Sequence, residues 1–204
     1  MMRFAKKESL RGELLETRRE LSFEDVYALS LKVQQRLIDS HFFRDSAKLA
    51  LYYSFGNEVL TDEVFRAAIG SGKEVYYPRV AAGNGRALKF FRVRSLDEME
   101  PGAYEVREPL DGTAAVGAEA FDLIVVPGVA FDERGGRIGF GKGYYDAALG
   151  SAKCSIVALA YEFQVLKTKI PLEPHDVTVS AIVTEKRVVL TGAHEGTQRG
   201  GSGV

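Results

Sequence analysis

The chain has 204 residues, a length that suits one domain with a sizeable core, and its formal net charge is −1. A charge this close to neutral excludes a nucleic-acid binder that works by bulk electrostatic attraction, so any anion must be recognised locally. A single cysteine excludes a disulfide within the chain. No window reaches the roughly 18 apolar residues of a membrane span, so we expect a cytoplasmic protein without membrane or nucleic-acid partners.

Two helices are predicted at the start of the chain. Residues 6–20 are rich in Leu, Glu, Arg and Lys and contain no proline, which favours a helix. Lys7 and Arg11 are four residues apart and therefore project from the same face. From this spacing alone, a solvated basic face is the simplest interpretation. A capping-box pattern at residues 22–25 predicts a second helix, which the apolar spacing continues to about residue 43.

The next part of the chain predicts a strand, a helix and a hairpin. Residues 48–53 are apolar and aromatic, which suits a buried strand. Thr61 is a candidate N-cap for a helix that ends near residue 71. Residues 73–80 and 87–94 have the composition of strands, with the first expected to end near its proline. The Gly- and Asn-containing sequence between them predicts a β-hairpin.

The second half of the chain alternates strands with helices. Residues 95–117 contain several prolines and glycines, which predict an extended, irregular connection. Residues 191–204 are polar and glycine-rich without periodicity, so we expect a disordered tail. The alternation predicts a single α/β domain over residues 1–190, with an open, largely parallel sheet flanked by helices. The remaining strands are expected at residues 121–126, 155–161, 178–184 and 187–190.

Residues 127–149 carry the most unusual chemistry of the chain. Five glycines fall within nine residues, interleaved with Arg137 and Lys142, after a predicted strand and before a predicted helix. Glycine lets backbone N–H groups approach an anion, and a helix N-terminus adds its dipole, so this arrangement is typical of a phosphate site. Two cations for phosphate oxygens and Asp146 for magnesium would be enough to bind ATP. A series of tight turns without a ligand is the alternative.

The loop differs from the two commonest nucleotide motifs. The spacing from Gly136 to Lys142 is that of a Walker sequence, but Gly143 follows where a P-loop requires Ser or Thr for magnesium. Its G-x-G-x-G spacing also differs from the dinucleotide fingerprint G-x-G-x-x-G. The magnesium role therefore passes to Asp146, at the start of the following helix.

These segments also point to a known family. Residues 127–146 read PGVAFDERGGRIGFGKGYYD, Lys7 and Arg11 precede them near the start of the chain, and Asn-Glu-Val lies between at residues 57–59. In this order, over almost the whole chain, they resemble the 5-formyltetrahydrofolate cyclo-ligase family. That family converts 5-formyltetrahydrofolate to 5,10-methenyltetrahydrofolate with ATP and magnesium, and its fold resembles the open sheet of ribose-5-phosphate isomerases and coenzyme A transferases. The resemblance implies a monomeric enzyme with ATP and the folate as its partners and Mg²⁺ as its cofactor.

The resemblance assigns a role to each motif. The carboxylate of Glu58 would accept two parallel N–H bonds from the pterin. Nucleotide binding is implied for Lys7, Arg11, Arg137, Gly139, Gly141, Lys142, Gly143, Tyr144 and Tyr145. Folate binding is implied for Phe55, Glu58, Phe140, Gly141, Lys142, Gly143 and Tyr144. Catalysis is implied for Arg137, Lys142 and Tyr144, and magnesium binding for Asp146 and Asp176.

Two alternative functions use the same residues. One is an ATP-dependent kinase or ligase that acts on another small substrate through the same nucleotide site. The other is a folate- or nucleotide-binding protein that has kept the pocket without turnover. The set of Arg137, Lys142 and Asp146 favours an enzyme over the second alternative.

Overall fold

The computed structural model of the protein describes residues 2–81, 87–102, 106–110 and 114–192, with side chains from Lys7 onward. No helix in these ranges is long and apolar enough to cross a membrane. The helices are α1 (Met2–Arg19), α2 (Phe23–Ile38), α3 (His41–Arg44), α4 (Asp62–Gly70) and α5 (Tyr144–Leu149). The strands are β1 (Lys48–Ala50), β2 (Glu74–Val80), β3 (Leu88–Arg92), β4 (Met99–Pro101), β5 (Arg107–Pro109), β6 (Leu123–Val126), β7 (Ala130–Asp132), β8 (Arg137–Ile138), β9 (Ser155–Leu159), β10 (Val165–Leu166), β11 (Ala181–Val183) and β12 (Val188–Leu190).

The main sheet has seven strands in the order β12-β11-β9-β6-β1-β2-β3. The five from β11 to β2 are parallel to one another, while β12 and β3 pair antiparallel at the two edges. All four residues of β6 are buried, as expected of a strand covered on both faces. The predicted α/β fold with an open, largely parallel sheet is therefore confirmed.

Two apolar clusters cover the two faces of this sheet. Alternate residues of each strand point to opposite faces, so Leu49 belongs to one cluster and its neighbour Ala50 to the other. Helices α2 and α4 contribute to the first cluster, for example through Leu37 and Val64. Helix α5 contributes Leu149 to the second cluster. The sheet is thus held between helices on both sides.

The strand order places a crevice between β1 and β6. From β1 the chain continues to β2 on one side, and the strand that follows β6 within the sheet, β9, lies on the other side. Where connections diverge in this way, the loops after the two strands separate and leave room for a ligand. Glu58 follows β1 and Gly128 follows β6, so both lie on loops beside this crevice.

The predicted helices are present, with two differences. The capping box at Ser22 forms as expected, but α2 ends at Ile38 because the Ser40 side chain caps a separate short helix, α3. Thr61 occupies the N-cap position of α4 without capping it, since its hydroxyl donates to the carbonyl of Tyr52 at 2.8 Å. The Gln34 side chain takes over that function by accepting an amide of α4 at 2.8 Å.

The predicted strands are present with different lengths, and further short strands occur where none was predicted. Strand β1 stops at Ala50, and β2 continues past Pro78 because β3 alone pairs with it there. The connection predicted to be irregular contains the hairpin of β4 and β5. Strand β12 ends at Leu190, where the domain boundary is predicted, and the predicted tail lies outside the described residues from position 193 onward.

Candidate active site

The glycine-rich segment contains a hairpin before its loop. Strands β7 and β8 pair antiparallel, and Gly135 and Gly136 lie in the turn between them. The buried carboxylate of Asp132 fixes this turn by accepting the amides of Arg134 and Gly136, each at 2.9 Å. The expectation of one continuous glycine loop between strand and helix is therefore wrong, because the first two glycines serve a structural turn.

The remaining glycines form the loop that leads into α5. Gly141 and Gly143 have φ angles of +87° and +73°, a region that residues with a side chain rarely adopt. Gly143 is the N-cap of α5, and its carbonyl accepts the amide of Ala147 at 3.2 Å. The loop is therefore shaped by backbone conformations available mainly to glycine, and its Phe140 and Lys142 side chains are exposed.

Arg137 enters the site from β8 and pairs with Asp146 in α5. The Arg137 Nη2 donates to the Asp146 Oδ1 at 2.8 Å, and the guanidinium carbon lies 5.5 Å from the centre of the Tyr145 ring. The same Oδ1 accepts the amide of Val177 at 3.3 Å. The Arg137 Nε is buried and lacks a hydrogen-bond partner among the described residues. A buried donor without a partner is expected to gain from an anionic ligand.

Helix α1 brings two further cations to the same place. The Lys7 Nζ donates to the Asp176 Oδ2 at 3.1 Å, and the Arg11 Nε donates to the carbonyl of Gly139 at 2.9 Å. Partial burial raises the pKa of Asp176, but the Glu173 amide and Lys7 outweigh it, so that this pKa is lowered overall. The interpretation of Lys7 and Arg11 as a solvated face is therefore wrong, since both contact other parts of the chain.

Glu58 lies at the opposite end of the site in a buried position. Its side chain is 6% exposed, its Oε2 accepts the Phe55 amide at 3.1 Å, and its Oε1 lies 3.9 Å from the Arg18 Nη1. Burial raises the pKa of Glu58 from 4.5 to about 7, against the opposing effects of Arg18 and the Phe55 amide. A carboxylate in this state has acceptor capacity that its protein partners do not fully use.

Arg18 is the residue of this region that sequence reasoning missed. It is 2% exposed, and its guanidinium carbon lies 5.4 Å from the centre of the Phe140 ring. The available signal was its spacing, because Arg18 follows Arg11 by seven residues and so lies on the same helix face. Lys7 and Arg18 are separated by about 16 Å along that face, so one helix reaches both ends of the site.

The other residues that were predicted for the site lie on the loops after β1 and β8 and on α5. Phe140 is 45% exposed and Phe55 is 37% exposed, so both rings are accessible to a ligand. Lys142 is exposed and Tyr144 is half-buried, on the glycine loop and the first turn of α5. Tyr145 packs against both apolar clusters, which places it beneath Arg137.

The described residues contain no group of three or more His, Cys, Asp or Glu side chains that could bind a metal by themselves. Asp146 and Asp176 are linked through the Val177 amide, so the two carboxylates belong to one region. Magnesium is usually bound by one or two carboxylates together with substrate phosphates and water. Two carboxylates beside three cations therefore fit a metal that arrives with a phosphorylated ligand.

The parallel sheet has a crevice at its switch point, with cations on one side and a buried carboxylate on the other. This arrangement is typical of an α/β enzyme that binds a phosphorylated ligand beside a second small molecule. A model of the 5-formyltetrahydrofolate cyclo-ligase family matches residues 3–185. The chain is 30% identical over 196 residues to the 5-formyltetrahydrofolate cyclo-ligase of Mus musculus, covering 88% of this chain and 93% of the relative. The chain belongs to the 5-formyltetrahydrofolate cyclo-ligase family.

Further relatives agree with this membership. The 5-formyltetrahydrofolate cyclo-ligase of Escherichia coli (strain K12) is 31% identical over 144 residues, covering 69% of this chain and 79% of the relative. The NMR structure of Aquifex aeolicus 5,10-methenyltetrahydrofolate synthetase is similar at a TM-score of 0.79 and 37% identity, covering 97% of this chain and 95% of that one. A 5,10-methenyltetrahydrofolate synthetase from Mycoplasma pneumoniae is similar at a TM-score of 0.71 and 25% identity, covering 88% and 98%.

Proposed function

We propose that this protein closes the ring of 5-formyltetrahydrofolate by using ATP to phosphorylate the formyl oxygen. Membership of the 5-formyltetrahydrofolate cyclo-ligase family supports an ATP-dependent conversion of 5-formyltetrahydrofolate to 5,10-methenyltetrahydrofolate, and in our proposal ADP and phosphate are released. A formamide is a poor electrophile, and its oxygen is a poor leaving group. Phosphorylation overcomes both obstacles in one step.

The proposed sequence has three steps. The γ-phosphoryl group moves from ATP to the formyl oxygen, which leaves ADP and an iminium phosphate. The N10 nitrogen of the folate then attacks the formyl carbon and loses its proton. Finally, the carbon–oxygen bond breaks, phosphate leaves, and the methenyl bridge between N5 and N10 is complete. Phosphoryl transfer of this kind depends on positioning and charge stabilisation more than on covalent help from the protein.

At the phosphate end, Lys7, Arg11 and Arg137 would bind the phosphate oxygens of ATP. The buried Nε of Arg137 lacks a partner among the described residues, which supports this role. In our proposal Lys7 and Arg137 exchange their carboxylate partners for phosphates. Asp146 and Asp176 would then hold Mg²⁺, which supplies neutralisation of the phosphate charge. The main chain of the glycine loop would contact the same phosphates.

At the folate end, Glu58 would accept N–H groups from the amino-pyrimidine edge of the pterin. Its buried position and its pKa of about 7 support this assignment, because two further donors would satisfy the carboxylate. The exposed ring of Phe140 would form an apolar wall for the folate. The exposed ring of Phe55, which precedes Glu58 by three residues, would form another. Lys142 and Tyr144 would lie at the reacting formyl group between the two ends.

One observation carries this proposal: a single face of helix α1 contacts both ends of the site. Lys7 and Arg11 reach Asp176 and Gly139, while Arg18 reaches Glu58. Two substrates bound at these ends would meet over the glycine loop, as transfer between them requires. We also propose a cytoplasmic monomer, and light scattering after size exclusion would check its oligomeric state.

The proposal is tested by incubating the protein with 5-formyltetrahydrofolate, ATP and magnesium. We expect the near-ultraviolet absorbance of the methenyl product to rise only when ATP is present. A protein that binds the folate and gives no such rise would be a binding protein rather than an enzyme. The double variant Lys142→Ala/Asp146→Ala should abolish the rise; full activity in that variant would overturn the site assignment and leave the reaction intact.

A further inference from the structure

Arg18 is a buried cation for which the proposed chemistry has no direct use. Its Nη1 donates to the carbonyl of Gly128 at 3.3 Å and lies 3.9 Å from the Glu58 Oε1. Its guanidinium also lies over the Phe140 ring at 5.4 Å. Arg18 is 2% exposed, and its side chain contacts Gly128, Glu58 and Phe140. Arg18 can therefore influence a ligand through these three groups.

The contact between Arg18 and Glu58 is separate from the contact that shapes the turn around Glu58. The neighbouring Asn57 has a φ of +59°, and its Nδ2 donates to the carbonyls of Arg18 and Leu21 at 3.0 and 3.1 Å. These acceptors are main-chain atoms, so replacing the Arg18 side chain leaves them in place. The end of α1 thus fixes the turn through its backbone and contacts the carboxylate through one side chain.

Arg18, in helix α1, connects two loops that follow strands of the main sheet. Gly128 follows β6, and Glu58 follows β1, so Arg18 bridges the two sides of the crevice at the switch point. Arg18 lies near the Glu58 Oε1, while the Phe55 amide binds the Oε2. A carboxylate offers about four acceptor sites, so these two partners fix its orientation and leave sites for a ligand.

We propose that Arg18 is a positioning residue for the folate, which orients the carboxylate of Glu58 toward the pterin and supports the Phe140 ring beside it. This inference rests on the proposed function, since it takes Glu58 and Phe140 as folate-binding residues. A planar guanidinium suits both tasks, because it pairs with a carboxylate through its edge and with an aromatic ring through its face.

The charges around Glu58 make this role measurable through pH. Arg18 approaches from α1, Tyr52 from the segment after β1, Tyr145 from α5 and Tyr161 from the segment after β9. Burial raises the pKa of each of the three tyrosines, so they stay neutral near pH 7. Arg18 opposes the effect of burial on the pKa of Glu58, so its loss would shift the ionisation of Glu58 to higher pH.

The test compares Arg18→Met with Arg19→Met. Arg19 is the next residue of the same helix, but it is exposed and pairs with Glu16. We expect Arg18→Met to raise the KM for 5-formyltetrahydrofolate by about tenfold, as for the loss of a charge-assisted contact. The KM for ATP should change by less than about twofold, since Arg18 contacts neither Lys7 nor the glycine loop main chain in the described contacts. Arg19→Met should leave both constants unchanged.

Two further measurements separate positioning from a general structural role. The folate KM of Arg18→Met should improve on going from pH 7 to pH 8.5 more than that of the wild type, because Glu58 would ionise later. Arg18→Lys should recover part of the affinity by restoring the charge. In a Glu58→Gln background, Arg18→Met should raise the folate KM by less than in the wild type, because only the support of the Phe140 ring remains to be lost. Arg18→Met alone would leave the Glu58 charge buried without a cation, and the double variant removes that charge as well. The double variant can therefore replace Arg18→Met in the test if the single variant does not fold.

The outcomes are distinguishable from failure of the proposed function. A wild-type protein that neither binds 5-formyltetrahydrofolate in calorimetry nor forms the methenyl product would refute the function and this inference together. A wild type that binds and turns over the folate, with folate KM values equal in Arg18→Met and Arg19→Met, would refute the role of Arg18 alone. Equal losses for ATP and folate, or full additivity with Glu58→Gln, would also refute it.

Discussion

The two ends of helix α1 hold their charges in opposite ways. At the first end, Lys7 pairs with Asp176 at 3.1 Å, and the nearby Arg137 pairs with Asp146 at 2.8 Å. At the other end, Arg18 and Glu58 approach only to 3.9 Å. The first pairs are direct hydrogen bonds at partly exposed carboxylates, whereas the Arg18–Glu58 ion pair is almost fully buried and too long for a hydrogen bond.

The ionisation of the carboxylates follows from this difference. For Asp176, partial burial raises the pKa, but the Glu173 amide and Lys7 outweigh it, and the pKa falls. For Glu58, burial exceeds the effects of Arg18 and the Phe55 amide, and the pKa rises to about 7. We infer that the first end is suited to exchange one anion for another, whereas the second is suited to gain donors that it lacks.

The largest effect should come from the phosphate end. Arg137→Lys keeps one positive charge but removes the planar donor set that faces Asp146. We expect kcat to fall by about 100- to 1,000-fold, the range for loss of one aligned donor to a charged transition state. Steady-state assays of the methenyl product would measure it, with folate binding followed by calorimetry.

The matched control for this variant is Arg187→Lys. Like Arg137, Arg187 forms salt bridges, in its case with the carboxylates of Glu133 and Glu162, but its side chain is 46% exposed. Exposed pairs contribute little, so kcat should not change. A drop in folate affinity with an unchanged kcat in Arg137→Lys would reverse the assignment of the two ends.

The next effect concerns stability at the folate end. Because the pKa of Glu58 rises from 4.5 to about 7 on folding, the folded state binds this proton more tightly than the unfolded chain. This carboxyl therefore lowers the free energy of unfolding progressively as pH rises from about 4.5 to 7, and the loss persists above pH 7. Relative to the wild type, Glu58→Gln should gain up to about 3 kcal/mol across this window.

Urea unfolding of both proteins at a series of pH values would measure this gain. The comparison needs the difference between the two curves, because other groups titrate in both proteins alike. Curves that run parallel from pH 4.5 to 8.5 would show that Glu58 ionises as an ordinary exposed carboxyl. The raised pKa of Glu58 would then no longer distinguish this end of the site from the end with Asp176, whose pKa is lowered.

A smaller effect is expected for Lys7→Met. The Lys7 ammonium is one of three proposed phosphate contacts, so we expect the KM for ATP to rise by about tenfold and the folate KM to stay unchanged. Arg19→Met again provides a control on the same helix. An equal rise in the KM values for ATP and for the folate would contradict the assignment of the two ends of α1 to different substrates.

The sequence indicated the proximity of Arg137 and Asp146 but not that of Arg18 and Glu58, for a physical reason. Arg137 and Asp146 lie nine residues apart in one glycine-rich segment, so local spacing was enough to group them.

The hairpin inside that segment was not predicted, although the Arg134 and Gly136 amides that bind Asp132 are local. The buried Asp132 also accepts the amide of Ile170 at 2.6 Å. That contact spans 38 residues and depends on the tertiary fold.

The same reason explains the omission of Arg18. Its helix position is readable from the sequence, but its partner Glu58 lies forty positions away, beyond α2 and β1. The two residues meet because the Asn57 side chain binds the carbonyls of Arg18 and Leu21, which holds the turn around Glu58 against the end of α1. The α/β class followed from the alternation of elements, whereas this contact depends on tertiary packing that no local pattern indicates.

The smallest effects come from two glycines near the phosphate end. Gly141 has a φ of +87°, and a Cβ there would meet Arg11 only at an ordinary 3.5 Å. Gly141→Ala should therefore lower the free energy of unfolding by about 1 kcal/mol through backbone strain. If the loop moves to relieve this strain and ATP binding must restore its conformation, the KM for ATP should rise by up to about fivefold. Gly12, in α1, has open space around its Cβ position, so Gly12→Ala should instead raise the free energy of unfolding by about 0.5–1 kcal/mol.

Thermal unfolding and ATP titration of the two alanine variants complete the comparison. The free energy of unfolding should rise in Gly12→Ala and fall in Gly141→Ala. At Gly12 the methyl group reduces the backbone entropy lost when the helix forms, whereas at Gly141 it strains the loop. Equal KM values for ATP in both variants would mean that the conformation of the loop does not determine phosphate binding. The phosphate end would then rest on its cations alone, and the glycines would serve only to turn the chain into α5.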